Sequence, residues 1–146
     1  MSEDLKALYQ EIILKHNKAP IGKGEAPENW VHAEGRNPTC GDEVRLALDI
    51  DLETGTVREV RFQGASCAIC TASTSMLVEA VSGKSAQVVV SLKKAVLEGL
   101  EGGDPLEVDL HGDLHALNGV QQFPARLRCA RLPWDVLEKA LSETDV

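Results

Sequence analysis

Apolar residues along this 146-residue chain recur in more than one rhythm. In DLKALYQEIILKH, Leu5, Leu8, Ile12 and Ile13 fall at helical spacing, with Ser2 ahead of them as an N-cap. From Asn17 to Pro27 two prolines and two glycines interrupt any pattern and predict an irregular loop. NWVHAEG reads as a short strand. The rhythm then changes: EVRLALDID (residues 43–51) alternates Val44, Leu46, Leu48 and Ile50 on one face. A turn at ETG leads into TVREVRFQG, where Val57 and Val60 are three apart, so this strand slips its alternation. Two strands joined through a glycine predict a hairpin. Apolar on one face and polar on the other, they predict an antiparallel sheet covered on one side.

Helical spacing returns after the hairpin. Ser66 is the expected N-cap of a helix running to about Val81 and ending at Gly83. Ser85 to Leu100 forms another, with Val88, Leu92, Val96 and Leu100 as its stripe. The stretch after GGDP reads as short and irregular. ARLRCARLPWDVLEKAL closes the chain as a last helix with Pro133 in its first turn. This order indicates one α+β domain over residues 1–146: a small antiparallel meander of about three strands, packed on one face by several α-helices. No internal repeat or low-complexity tract is present.

Composition narrows the function classes. Hydrophobic residues make up 43% and charged residues 26%, the balance of a globular chain. Aromatics are only 3%, which predicts an aliphatic core and argues against a stacking platform for single-stranded nucleic acid. A net charge of −8 argues against phosphate backbones as partners. No apolar run of about 18 residues predicts a membrane span. MSEDLKALYQ has no basic-then-apolar leader pattern, so a cytoplasmic location is expected. In that reducing medium four cysteines point to metal ligands or reactive thiols rather than bridges.

Three segments carry the chemistry. Cys40 lies in NPTCGD, a bent connection before a strand, with Asp42 two residues on. Cys67 follows Ser66 at the expected start of a helix, where free backbone N–H groups favour a thiolate. Cys129 follows Arg126 and Arg128, and shares a helix face with Arg126 three residues back. Three thiolates and a carboxylate suit tetrahedral zinc; unrelated buried cysteines are the alternative. Cys67 and Cys70 also form a C-x-x-C. A thioredoxin-type dithiol would want a βαβ context, and a zinc ribbon a second C-x-x-C; the chain has neither. Cys70 is therefore expected to be a small packed residue. His111 and His115 are four apart, a metal spacing on a helix, but Gly112 and two aspartates make a regular helix doubtful. His16 and His32 read as surface or structural, and Lys93 and Lys94 as a solvated helix face.

These motifs, in this order, resemble the U-type iron–sulfur assembly proteins, the family of IscU, the NifU N-terminal domain and SufU. The resemblance spans LYQEIILKHNKAP, NPTCGDEVRL, GASCAICTASTSML and FPARLRCARLPWDVLEKAL. It is nearest to the SufU type, with that type's insertion expected at about residues 83–105, around GKSAQVVVSLKKAVLEGLEGGDP. IscU-type members carry a histidine just before the last cysteine; here that residue is Arg128. Members of the family usually have a small non-cysteine residue where this chain has Cys70.

The resemblance implies a SufE/NifU-like fold and a zinc-dependent sulfurtransferase that accepts persulfide sulfur from a SufS-type cysteine desulfurase. Cys40 is then the sulfur acceptor, and Asp42, Cys67 and Cys129 hold zinc with it. Four anionic ligands around Zn(II) would leave the site negative, and by that charge argument Arg126 is expected to steady it. A SufBCD-type scaffold is the expected downstream partner. Two readings stand beside this one: an IscU-type scaffold assembling a [2Fe–2S] cluster on Cys40, Cys67 and Cys129, and a purely structural zinc protein.

Overall fold

The computed structural model describes residues 3–144. Helix α1 (Glu3–Lys18) leads through a loop into β1 (Val31–Asn37), β2 (Asp42–Ile50) and β3 (Val57–Gln63). Helices α2 (Ala68–Val81), α3 (Ala86–Leu100) and α4 (Val108–His111) follow. Two 3₁₀ segments, Gly112–Gln122 and Pro124–Arg126, then lead into α5 (Leu127–Ser142). The expected α+β architecture is what forms, with a three-stranded antiparallel sheet in the order β1-β2-β3. Ser2, the expected cap of α1, lies outside the described residues.

Alternation in β2 buries Val44, Leu46 and Leu48 on the face that meets the helices. The slip read from VREV is a bulge: the β2–β3 register shifts between Asp49 and Ile50, so both Val57 and Val60 turn inward. The β2–β3 turn is an Asx turn, in which Asp51 Oδ1 accepts the Glu53 and Thr54 N–H groups at 3.0 and 3.4 Å. On the opposite face, Arg61 lies over the Trp30 ring at 5.0 Å and donates to the Glu25 carbonyl.

α5 packs across β1 and β2, and α2 lies beside it. Trp134 is fully buried between them, donating through Nε1 to Ser73 Oγ (3.1 Å), whose hydroxyl donates to the Ala130 carbonyl (2.7 Å). One side chain thus satisfies two polar groups inside an apolar core, where an unpaired one costs about 1–3 kcal/mol.

Several expectations are corrected. In α1 the buried residues are Tyr9 and His16, with Ile12 and Ile13 partly buried, while Leu5 and Leu8 face outward. In α3 the inward residue is Val89, not Val88, which is exposed; Val96 and Leu100 are buried as expected. Pro133 stands well inside α5 rather than in its first turn. It removes the intrahelical bond that would close on the Cys129 carbonyl. Lys93 is largely covered and lies 3.9 Å from Glu138, so only Lys94 is a freely solvated lysine of that pair. The stretch after GGDP is mostly 3₁₀ helix rather than irregular.

Two glycines shape the site end of the sheet. Gly41 has φ +73° in the four-residue connection from β1 to β2, with open space where a Cβ would sit. Gly64 (φ +128°) is where the chain leaves β3 and crosses the start of β2. A Cβ there would lie 2.1 Å from the Glu43 carbonyl oxygen. The crossing is fixed by a bond from Glu43 N–H to the Ala65 carbonyl at 2.9 Å.

Candidate metal centre

The β1–β2 connection, the β3–α2 crossing and the start of α5 meet at one end of the sheet. Cys40 sits half-buried at the tip of the first, its N–H bonded to the Asn37 carbonyl (3.2 Å). Asp42 opens β2 and is only 2% exposed. Cys129 lies in the first turn of α5 and is fully buried. One ligand atom each from Cys40, Asp42 and Cys129 lie within 4.8 Å of one another.

Cys67 joins this group through its backbone. Its N–H donates to Asp42 Oδ1 at 2.8 Å, but its Sγ lies outside the set of atoms that fall within 4.8 Å. It is the N-cap of α2, its Sγ accepting the Cys70 N–H at 3.5 Å. Ser66, the expected cap, instead pairs its hydroxyl with Thr71 Oγ1 (2.8 Å). The cap is a soft sulfur acceptor at the positive end of a helix, a place that favours a thiolate.

Burial, then contacts with Asp42, Cys40 and Cys67, push the Cys129 thiol well above the ordinary thiol range. Asp42 Oδ2 is buried with no hydrogen-bond partner. Arg126, exposed at the N-cap of α5, hydrogen-bonds to Cys129 and feels the charges of Cys67 and Cys40, so its guanidinium is held charged still more firmly. Asn37, which sequence reasoning missed, places Nδ2 3.9 Å from Cys129 Sγ. Its register opposite Asp42 is the signal that could have found it.

The donor set fits zinc. With Zn–S bonds of about 2.3 Å, tetrahedral sulfurs sit about 3.8 Å apart, a separation that the spacing of Cys40, Asp42 and Cys129 allows, while Cys67 would have to turn its Sγ toward them. An ion would also give the orphaned Asp42 oxygen a partner and favour the thiolate form of its cysteine ligands.

The remaining candidates do not join this site. Cys70 is fully buried in the core, and loss of solvation raises its thiol to about 12. His111 accepts the Glu107 N–H, whereas His115 Nδ1 bonds the Gly112 carbonyl and its ring packs edge-on against Tyr9. Gly112, with φ +58°, separates their helices. His32 bonds the Pro27 carbonyl (2.9 Å). His16 is structural but deeply buried. Ser75 Oγ accepts the Ile21 N–H (2.8 Å) and lies 2.7 Å from His16 Nδ1, and His16 Nε2 lies 2.8 Å from Asp113 Oδ2.

A small antiparallel sheet with thiols and a carboxylate gathered at its end defines an α+β protein with a candidate metal site. The family model for the NifU-like N terminal domain matches residues 8–130. The chain is 37% identical to the zinc-dependent sulfurtransferase SufU of Bacillus subtilis, over 97% of this chain and 95% of that one. It is 33% identical to the iron–sulfur cluster assembly scaffold protein IscU of Streptococcus pyogenes, over 96% and 86%. A solved scaffold protein of the SUF system from Fervidobacterium islandicum superposes with a TM-score of 0.80 at 33% identity, covering 92% of this chain and 97% of that one. The chain belongs to the NifU-like N-terminal domain family, as a SufU-type iron–sulfur cluster assembly protein.

Proposed function

We propose that this protein is a zinc-dependent sulfurtransferase of the cytoplasm. It takes persulfide sulfur from a SufS-type cysteine desulfurase and passes it toward a SufBCD-type scaffold. The observation that carries this reading is the meeting of Cys40, at a loop tip, with Asp42 and Cys129, a buried carboxylate oxygen among them lacking any partner. The relative named for zinc-dependent sulfur transfer supports it over almost the whole chain.

Cys40, Asp42, Cys67 and Cys129 would hold the ion. Bound zinc would keep the thiolates deprotonated at neutral pH while restraining their nucleophilicity. Cys40 is the acceptor because it alone of the three stands on a turn with open space around Gly41, free to swing toward a partner's persulfide. Its thiolate attacks the outer sulfur; a new S–S bond forms on Cys40 and the partner's cysteine leaves as a thiolate. Arg126 faces the anionic cluster and offsets its charge during the exchange. The stretch 83–105, which holds α3, is the SufU-type insertion within a single domain spanning 1–146.

A Cys40→Ala variant tests the acceptor role. It is expected to leave desulfurase turnover at its unstimulated rate, and stimulation equal to the parent's would overturn the reading. The kinship with scaffold proteins favours a second reading, a [2Fe–2S] cluster on Cys40, Cys67 and Cys129. Visible charge-transfer bands after anaerobic reconstitution would support it; about one zinc per chain without such bands supports transfer.

A further inference from the structure

The C-x-x-C is not absorbed by the transfer chemistry, which uses Cys67 and leaves Cys70 idle. The two cysteines nevertheless share one helical turn: Cys67 caps α2, and its Sγ touches the backbone N–H of Cys70 at 3.5 Å. Cys67 is half-buried and Cys70 fully buried. A reachable sulfur at a helix N-terminus, with a protected one a turn later, is the arrangement in which a resolving thiol stands behind an oxidisable one.

We propose that Cys67 and Cys70 form a reversible disulfide on exposure to peroxide, and that this bond takes Cys67 out of the metal site. Cys70 owes its place as resolving residue to elimination. The chain has four cysteines. With Cys40, Cys67 and Cys129 engaged as ligands, Cys70 is the one thiol that can attack an oxidised ligand without a second ligand first leaving. Fully buried in the core, it is shielded from direct oxidation, which fixes the order of events.

The step balances. The Cys67 sulfur attacks a peroxide oxygen and the O–O bond breaks, giving a sulfenic acid and a hydroxide that takes up a proton as water. The Cys70 thiol then attacks the Cys67 sulfur. An S–S bond forms, the S–O bond breaks, and the hydroxyl departs with the Cys70 proton as a second water. Two electrons pass from the thiols to the peroxide. A dithiol reductant reverses the change by exchange. The bridge closes a loop within a single turn, so α2 need not move relative to the sheet.

The elimination that singles out Cys70 and the coupling to metal loss both rest on the zinc reading above, whereas the one-turn placement of Cys67 and Cys70 does not. Zinc-loaded protein is treated with a few equivalents of hydrogen peroxide and followed by intact mass, by peptide mapping and by a chromogenic zinc chelator. The expected result is a loss of two hydrogens per chain mapped to Cys67–Cys70, zinc release in step with it, and recovery of both with dithiothreitol. Cys70→Ala should bind zinc as the parent does, yet peroxide should drive Cys67 to sulfinic acid with no recovery. A Cys40–Cys129 bridge as the first product would overturn the proposal, as would zinc release from Cys70→Ala that dithiothreitol reverses fully. Should that variant fold poorly, Cys70→Ser and the parent's own peptide map decide the matter. If the protein binds no zinc, the metal reading fails, while mapping the metal-free protein still tests the disulfide.

Discussion

Among the described residues, the buried polar clusters around His16 and around Asp42 are finished differently. In one, His16 is 1% exposed yet has a partner for each ring nitrogen: Ser75 on one side and Asp113 on the other, with Lys15 closing on Asp113 at 2.6 Å. In the other, Asp42 keeps an unpaired oxygen beside a buried Cys129. The first joins α1, α2 and the 3₁₀ segment as a closed network, the kind that fixes a unique packing. The second spends stability to keep donor atoms available. Satisfaction separates a polar cluster that holds the fold from one that awaits a ligand.

Chelation should break the contrast most visibly. If zinc binds only the folded state, a thousandfold excess over Kd adds about 4 kcal/mol, so stripping it should lower Tm by on the order of 12 °C. An unchanged calorimetric Tm would sink the shared site. His16→Ala should cost about 3 kcal/mol through lost hydrogen bonds and a cavity. That loss should be the same with and without zinc in denaturant titrations. A smaller effect is sharper in meaning: Asp42→Asn removes the charge of a carboxylate whose Oδ2 has no hydrogen-bond partner while leaving an Oδ1 to accept the Cys67 N–H. The metal-free variant should melt no lower than its parent, and up to about 1 kcal/mol higher, yet its zinc-induced shift should fall by more than half.

The smallest expected effect is with acid. Partial burial pushes the Asp113 carboxyl up, but Lys15 and His16 overcome it and hold the group below its ordinary value of 3.8. A depressed carboxylate gives stability that is full above 3.8 and lost as pH falls through the lower folded value. Acid unfolding of the parent should show this loss and Asp113→Asn should lack it; identical profiles would remove Asp113 from the network.

The strands were legible because alternation reports burial directly, and even the bulge left its mark in the Val57–Val60 spacing. Helical phase was harder to read. QVVV sets three valines side by side, so nothing local distinguishes Val88 from Val89 as the inward residue. Apolar residues cover much of the α1 surface, which hid Tyr9 and His16 as its buried side. Cys40, Asp42 and Cys129 were legible as residue types beside turns and helix ends, and motif order linked them. The closeness of Cys40, Asp42 and Cys129 depends on α5 packing over the sheet, which no local pattern encodes. The His16–Ser75–Asp113 network was invisible for the same reason: its members are separated by 59 and 97 positions.

The crossing at Gly64 has a genetic consequence. It touches no metal and carries no side chain, yet it sets how the segment bearing Cys67 lies against the strand bearing Asp42. A single methyl group there would collide with the Glu43 carbonyl, which belongs to β2 backbone and has no rotamer in which to yield. A saturation screen for loss of function should therefore return Gly64 together with Cys40, Cys67 and Cys129, while tolerating changes at Gly83, where a Cβ meets open space and only φ is strained.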